Sequence, residues 1–232
     1  MSMTVAGQEQ LMEQETRLSS EQPTPSGAAS AVSRATPGTV RPGGRTAKVR
    51  AAVLEATQDA LAEQGFHALN MDRVAAAAGV GKTTVYRRWG SSIGLITDLL
   101  HDMAEQSLPA ADTGSLEGDL RANALLVLKT LTDPRMGPVF QAVIASAACD
   151  EECAAALNGF YTTRLREWAP AVERAVARGE IPAGTDATEV LRAVSAPLYY
   201  RFAISREPLT PADAERAVAV ALAGARAGAF HG

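Results

Sequence analysis

From Arg45 onward, apolar residues recur at every third or fourth position, and almost no stretch alternates apolar with polar residues. Recurrence of that kind places apolar side chains on one face of a helix, whereas alternation is what a half-buried strand requires. Glycines such as Gly65, Gly79 and Gly179 follow successive helical segments, as glycine often does at helix ends. The sequence therefore predicts an all-α fold with helices over most of its length.

The composition divides the chain into three segments. Residues 1–44 are rich in Ser, Thr, Pro, Gly, Ala and Gln and lack apolar periodicity, so they bury too little apolar surface to offset the entropy of ordering. We expect a disordered tail there, which is either fully solvated or touches a nucleic acid through its few arginines. A polar, glycine-containing break at 109–115 separates a smaller helical domain at 45–107 from a larger one at 108–232.

The most informative stretch contains two short helices joined at Gly79. The first, over about 71–78, has an apolar inner face, and the second, over about 82–87, directs Val85 inward. A tight turn at Gly79 would set the helices across each other as a helix-turn-helix, whose second helix enters the major groove of DNA. Charge agrees with this interpretation, because the net charge is −4 and yet residues 45–100 are positive.

A competing interpretation uses the same residues. The segment 79–84, Gly-Val-Gly-Lys-Thr-Thr, resembles the end of a phosphate-binding P-loop. That motif requires a glycine at position 76, where the chain has Ala76, and a preceding strand, where the chain has an amphipathic helix. The three histidines lack metal-ligand spacing, and no Ser/His/Asp arrangement occurs. We therefore expect no enzyme activity, no catalytic residue, no metal and no cofactor.

The span 65–99 resembles the DNA-binding domain of TetR/AcrR-family regulators. The residues that carry the resemblance are Ala78-Gly79-Val80, Tyr86 and Trp89. Three further segments, at 112–116, 173–181 and 196–201, are similar to an actinobacterial-style branch of that family's C-terminal domain. The resemblance to this family covers about residues 45–228. The resemblance implies a three-helix N-terminal helix-turn-helix domain joined to a larger helical domain for ligand binding and dimerisation.

The candidates for DNA contact lie on or beside the two short helices. They are Asn70, Arg73, Lys82, Thr83, Thr84, Tyr86, Arg87 and Ser92. The resemblance implies that Lys82 and Tyr86 contact phosphates and that the two threonines lie near bases. It also implies that Asn70 and Arg73 support these contacts from the preceding helix. Many family members have lysine in place of Ser92, so a phosphate contact there would depend on backbone N–H groups at the start of the next helix. For each candidate, an ordinary solvated position is the alternative.

The resemblance also implies a mostly apolar ligand cavity in the larger domain, beside the fourth helix. By analogy, the residues expected to line it are Met103, Phe140, Ile144, Tyr161, Trp168 and Tyr199. An ordinary place in the core is the alternative for each of these residues. The two cysteines, Cys149 and Cys153, are expected to pack as small apolar residues, with a thiol sensor as the alternative.

The last predicted helix has small and apolar residues at helical spacing. They are Ala214, Val218, Ala221, Leu222 and Ala225. Small residues allow a partner helix to approach closely, so we expect the last two helices to form the interface of a homodimer. Packing of the same residues within the chain's own core is the alternative.

Together these observations predict a sequence-specific transcriptional regulator, most simply a repressor released from a palindromic operator by a small ligand. The expected partners are double-stranded operator DNA, an unidentified small-molecule effector and a second copy of the chain. No apolar stretch approaches the roughly 20 residues of a membrane span, and the first residues lack the pattern of a secretory signal. We therefore expect a cytoplasmic protein. The alternative is a helical binding module whose helix-turn-helix no longer binds DNA, which only Ser92 favours.

Overall fold

The computed structural model describes residues 42–106 and 109–232. Most of the segment expected to be a disordered tail, residues 1–41, lies outside these ranges. Residues 42–44, which the composition assigned to the tail, belong to the first helix. This start was not predictable, because the two adjacent glycines, Gly43 and Gly44, are poor helix formers.

Nine α-helices account for most of the described residues, which contain no β-strand. The helices are α1 (Pro42–Gln64), α2 (Met71–Ala77), α3 (Lys82–Trp89), α4 (Ser92–Glu105), α5 (Leu116–Thr132), α6 (Met136–Ala147), α7 (Glu151–Ala177), α8 (Ala187–Tyr199) and α9 (Pro211–Arg226). A 3₁₀ turn (Phe66–Ala68) follows α1, and a π-helical segment (Tyr200–Ser205) follows α8. The all-α prediction is confirmed.

Polar residues cap the start of many of these helices. Asn70 accepts hydrogen bonds from two backbone N–H groups at the start of α2, and Thr210 forms a reciprocal capping box with Asp213 at the start of α9. At the start of α4 the cap is Ser91, whose hydroxyl accepts from Gly94 N–H at 3.1 Å. Each cap satisfies backbone donors that have no partner within the helix.

Two hydrophobic clusters hold the described helices together. One is built mainly by α1 to α4 and is completed by Val139 and Val143 of α6 and by Cys153 and Leu157 of α7. The other lies among α5 to α9. The N-terminal helices therefore do not enclose their core alone, because side chains from the C-terminal part complete it. Helix α4 in particular packs along α7.

The two cysteines differ in their surroundings. Cys153 is buried in the N-terminal cluster, and its Sγ lies 3.6 Å from the carbonyl oxygen of Val143. Burial raises the pKa of this thiol, which makes the reactive thiolate scarcer. Cys149 is exposed at the end of α6. Cys153 thus has the packing role expected from its apolar character.

The residues predicted to form the dimer interface lie inside the single chain. Ala214, Val218, Ala221, Leu222 and Ala225 are all at most 6% exposed and belong to the core among α5, α8 and α9. As a set of interface residues this prediction was wrong, and the alternative of internal packing holds. Helical spacing identifies the face of a helix that is buried, but it cannot distinguish burial by the same chain from burial by a partner.

No helix within the described residues is long and apolar enough to cross a membrane.

Candidate nucleic-acid interface and ligand cavity

The turn between α2 and α3 has the geometry that the sequence predicted. Gly79 has a φ of 65°, in the left-handed region that glycine adopts without strain. The N–H of Val80 donates to the carbonyl of Ala75 at 2.9 Å, which closes the end of α2. Val85 is fully buried on the inner side of α3. A helix precedes Gly79, so the strand that a P-loop requires is not there.

The opposite side of α3 faces solvent. Lys82, Thr83, Tyr86 and Arg87 are exposed, and Thr84 is half-buried. Tyr86 is 48% exposed, so its ring and hydroxyl are accessible to a partner. Five of the eight candidate residues thus lie on one short helix, outside the core.

Lys82 is not free in this structure. Its Nζ donates to Asp72 Oδ2 at 2.6 Å across the turn. This hydrogen bond lowers the pKa of Asp72 and raises that of Lys82, and a further hydrogen bond from Tyr86 also favours the Asp72 carboxylate. Any phosphate that binds Lys82 therefore competes with an acidic group that the sequence reasoning did not consider.

The remaining candidates have structural partners. Asn70 Oδ1 accepts from Asp72 N–H at 2.8 Å and from Arg73 N–H at 3.2 Å, so its side chain caps α2. Arg73 donates to Gln64 Oε1 at 3.2 Å and is exposed. Ser92 is half-buried, and its hydroxyl donates to the carbonyl of Leu69 at 3.4 Å. The side chain of Ser92 therefore points to the protein's own backbone, which leaves only its N–H for a phosphate.

In the first turn of α4, Gly94 occupies a position that has no room for a side chain. A Cβ at this position would lie 2.0 Å from the carbonyl oxygen of Trp89, which is far inside contact distance. The helical cost of Gly94, about 1 kcal/mol relative to alanine, is offset by a close approach between the end of α3 and the start of α4.

Trp89 is buried between helices, at 8% exposure. Its indole Nε1 donates to Asp98 Oδ2 at 2.8 Å, and the guanidinium of Arg88 lies 4.9 Å from its ring centre. Arg88 also approaches the carbonyl of Thr46 at 3.4 Å. Arg88, which was left out of the DNA-contact candidates, thus packs against its own domain.

Sequence reasoning missed an ion-pair network that joins α1 to α4. Arg50 Nη2 lies 2.8 Å from Asp98 Oδ1, and Arg50 also pairs with Asp102. Burial pushes the pKa of Asp98 upward, but hydrogen bonds from Arg50 and Trp89 outweigh it and hold this pKa below its usual value. The spacing of Asp98 and Asp102 places both carboxylates on one helix face. Nothing local in the sequence indicates that Arg50 is their partner.

A cavity of about 680 Å³ opens among α5, α6, α7, α8 and the π-helical segment. Five of the six residues predicted for a ligand cavity line it, namely Phe140, Ile144, Tyr161, Trp168 and Tyr199. Met103 instead lines a neighbouring cavity of about 570 Å³, which also contains Arg50 and Asp102 in its lining. Phe140, Phe160 and Arg164 line both cavities. No cluster of metal-ligating side chains occurs among residues 42–106 and 109–232.

Two family models match the chain. Residues 53–97 match the model of bacterial regulatory proteins of the tetR family, and residues 110–221 match a tetracyclin repressor-like C-terminal domain. An uncharacterized HTH-type transcriptional regulator of Bacillus subtilis, YdeS, is 30% identical over 155 residues, which cover 66% of this chain and 78% of that protein. The DNA-binding transcriptional repressor TetR of Mycobacteroides abscessus is 33% identical over 139 residues, covering 59% and 71%.

Solved structures agree with these matches. The TetR family transcription regulator SCO0332 superposes with a TM-score of 0.63 at 29% identity, covering 76% of this chain and 98% of that one. GusR of Salmonella enterica superposes with a TM-score of 0.60 at 22% identity, covering 78% and 95%, and this likeness concerns the fold alone.

Proposed function

Because this chain belongs to the TetR family of DNA-binding transcriptional regulators, we propose that it is a repressor that binds a palindromic operator as a homodimer and leaves it when a small ligand binds. The observation that carries the proposal is the exposed polar side of α3, set outward by the turn at Gly79. A helix presented in this way fits the major groove, where polar side chains read base edges. The family is one of regulators and not of enzymes, as the sequence led us to expect.

The DNA contacts fall into two classes. We assign Lys82 and Tyr86 to phosphates, because both are exposed at the rim of α3 and carry hydrogen-bond donors. Thr83, Thr84 and Arg87 are assigned to bases or nearby phosphates. Asn70 and Arg73 support the site indirectly, since Asn70 fixes the start of α2.

The dimer is assigned to the outward faces of α8, α9 and the π-helical segment. Apart from Tyr86, the large apolar side chains exposed in the described part of the chain are Leu125, Tyr200, Ile204 and Val220. Tyr200 and Ile204 directly follow α8, and Val220 lies on α9 opposite the buried stripe. Exposed apolar residues at this density favour a protein partner. In a two-fold symmetric dimer formed through this surface, the two α3 helices would enter successive major grooves, about 34–36 Å apart.

Ligand control is assigned to the 680 Å³ cavity. Helix α7, which contributes much of its lining, also packs along α4, and α4 begins directly after α3. A ligand that changes how α7 sits would thus change the placement of α3 through α4. To convert nearly complete occupancy of the operator into nearly complete release, the ligand must favour the released shape by about 5.5 kcal/mol.

The direct test is selection of bound fragments from random duplex DNA by the full chain, followed by a screen for compounds that release the selected sequence. Enrichment of a palindrome with two half-sites is the expected result. Retention that depends on salt but not on sequence would instead favour a helical binding module without operator recognition. A variant with Lys82, Thr83 and Arg87 all changed to alanine is the control, because it should lose the enrichment while retaining the fold.

A further inference from the structure

The cavity of about 680 Å³ concentrates the aromatic side chains of the protein. Of the eleven Phe, Trp and Tyr residues in the chain, six line it. They are Phe140, Phe160, Tyr161, Trp168, Tyr199 and Tyr200. Four of these rings form a continuous series: Phe140 packs on Phe160 at 5.4 Å, Phe160 on Tyr161 at 5.4 Å and Tyr161 on Tyr199 at 5.2 Å between ring centres. Walls of this kind favour a flat aromatic molecule, which stacks on one ring and meets the edges of others.

The polar groups of the lining offer hydrogen-bond donors. Trp168 is 3% exposed, and its indole Nε1 is buried without a hydrogen-bond partner in the described part of the chain. An indole N–H can only donate, so a ligand that satisfies it must bring an acceptor. Burying such a donor without a partner is unfavourable, because its hydrogen bond to water is lost and not replaced. An acceptor on the ligand would recover that cost.

The tyrosine pair contributes a second donor. Burial raises the pKa of Tyr199 to about 12, although a hydrogen bond from Tyr161 and the charge of Arg164 partly oppose this. Burial also raises the pKa of Tyr161. Both hydroxyls therefore stay protonated at neutral pH. Since Tyr199 accepts from Tyr161, its own proton is available to an acceptor on a ligand.

The formal charges of the lining have one sign. Arg164 and Arg192 contribute to it, whereas no Asp or Glu is among the described lining residues. Arg164 has only 17% of its side chain exposed and pairs with Glu167 at 2.8 Å, and Arg192 pairs with Glu189. Both carboxylates stand outside the lining. A cation in this cavity would lose its hydration without gaining a carboxylate, whereas an anion or a carbonyl would find donors.

We propose that the effector is a flat aromatic compound with a hydrogen-bond acceptor, a carboxylate or a carbonyl group, and that aromatic cations are rejected. The inference rests on the proposed function, because it concerns the ligand of the same cavity. It adds the chemical class of that ligand. Three separate observations support this class: the series of packed rings, the unpartnered indole N–H of Trp168 and the positive charge of the cavity lining.

The test compares three probes that share one ring system and differ in charge: 2-naphthoate, its neutral methyl ester and 2-naphthylmethylammonium. Binding of each to the full chain is measured by isothermal titration calorimetry. We expect the acid and the ester each to bind at least about tenfold more tightly than the ammonium compound, as one hydrogen bond to a buried donor predicts. An ammonium probe that binds as well as the acid would overturn the proposal. So would the lack of saturable binding of all three at millimolar concentration.

Two variants locate the effect. Trp168→Phe keeps a ring but removes the N–H, so the acid and ester should lose about tenfold in affinity while naphthalene itself binds as before. Arg164→Met keeps the apolar stem but removes the charge, so it should lower the affinity for the acid and leave that for the neutral ester nearly unchanged. Arg166→Met, on the same helix but exposed and outside the lining, is the matched control and should change neither value. If Trp168→Phe does not fold, the comparison of Arg164→Met with Arg166→Met still decides, because an unchanged affinity of Arg164→Met for the acid contradicts the proposal.

The DNA selection separates this inference from the proposed function. Recovery of an operator together with a preference for the cation would overturn the ligand class and leave the repressor intact. A preference for the acid without any selected sequence would support the cavity chemistry and overturn operator recognition.

Discussion

Two anionic groups compete for the Lys82 ammonium. One is the Asp72 carboxylate, 2.6 Å away, and the other is the DNA phosphate that we assign to Lys82. The pair is exposed, with 64% and 42% of the two side chains accessible, so water and salt screen it. A phosphate can therefore displace Asp72 at little cost. Asp72 then remains close to the DNA backbone as a like charge, which weakens binding in a manner independent of sequence.

The first prediction follows from this competition. Lys82→Ala should weaken binding to all duplex sequences by a similar factor and reduce the slope of log affinity against log salt by about one unit. Asp72→Asn should act in the opposite direction and increase affinity for operator and random DNA alike. Both are measured by fluorescence anisotropy over a series of salt concentrations. An unchanged slope in Lys82→Ala would remove this residue from the phosphate contacts.

Helices α1, α3 and α4 are joined at a single carboxylate. Asp98 accepts from Arg50 of α1 and from the indole of Trp89 at the end of α3. The carboxylate is only 23% exposed, so its partners would be left partly desolvated if it were lost. This junction, rather than the apolar core alone, fixes the angle at which α3 is presented.

Asp98→Asn should therefore destabilise the fold by about 1–3 kcal/mol, the usual cost of leaving buried donors poorly satisfied. The midpoint of urea unfolding, followed by circular dichroism, measures this change. Glu63→Gln, which alters an exposed carboxylate on α1, is the control and should shift the midpoint little. Equal midpoints for the two variants would contradict the importance of the junction.

The start of α9 should make stability sensitive to acid. Thr210 donates to Asp213 Oδ2 through its hydroxyl at 2.7 Å and its N–H at 2.9 Å, and Arg216 pairs with the same carboxylate at 2.6 Å. These contacts lower the pKa of Asp213 to about 2. Because the folded pKa lies below the unfolded one, the stabilisation is complete above about pH 4 and is lost as the pH falls toward 2.

Asp213→Asn should accordingly lower the thermal midpoint by a few degrees at neutral pH, as loss of a helix cap does. The difference from the unaltered protein should stay constant from pH 7 to about 5 and narrow below about pH 4. Calorimetric melts at a series of pH values test this. A difference that does not narrow in acid would show that the cap works without the carboxylate's charge.

At the scale of the whole molecule, the two faces of α9 have different roles. Val218 is 2% exposed and lies in the core, whereas Val220, two positions later, is 66% exposed. A charge at the first position would be buried without a partner, while a charge at the second would meet only water or a second copy of the chain.

Val220→Asp should give a folded monomer, and Val218→Asp should unfold the chain. Analytical ultracentrifugation and circular dichroism distinguish these outcomes. The monomer should also bind the operator far more weakly, because only one α3 helix would then be available to it. A Val220→Asp protein that remains dimeric would place the interface elsewhere.

Local chemistry made much of the molecule predictable. Gly79 and the apolar residues around it specify the turn and the helices on each side, because backbone conformation and helical spacing are properties of a few neighbouring residues. The caps at Asn70 and Thr210 were predictable for the same reason. The lining of the ligand cavity was predicted from the family resemblance, and five of the six predicted residues lie together in the structure. Met103 turns instead into the neighbouring cavity, a difference of side-chain direction that periodicity does not contain.

The sequence by itself determined which faces of the helices are buried and where most helices begin or end, since these depend on contacts close along the chain. Only the tertiary structure decided what covers each face. It turned the stripe at Val218 and Leu222 inward against the chain's own α5 and α8, paired Lys82 with Asp72, and brought Arg50 to Asp98 across 48 residues. Such partners depend on how whole helices pack, and many distant residues together fix that packing.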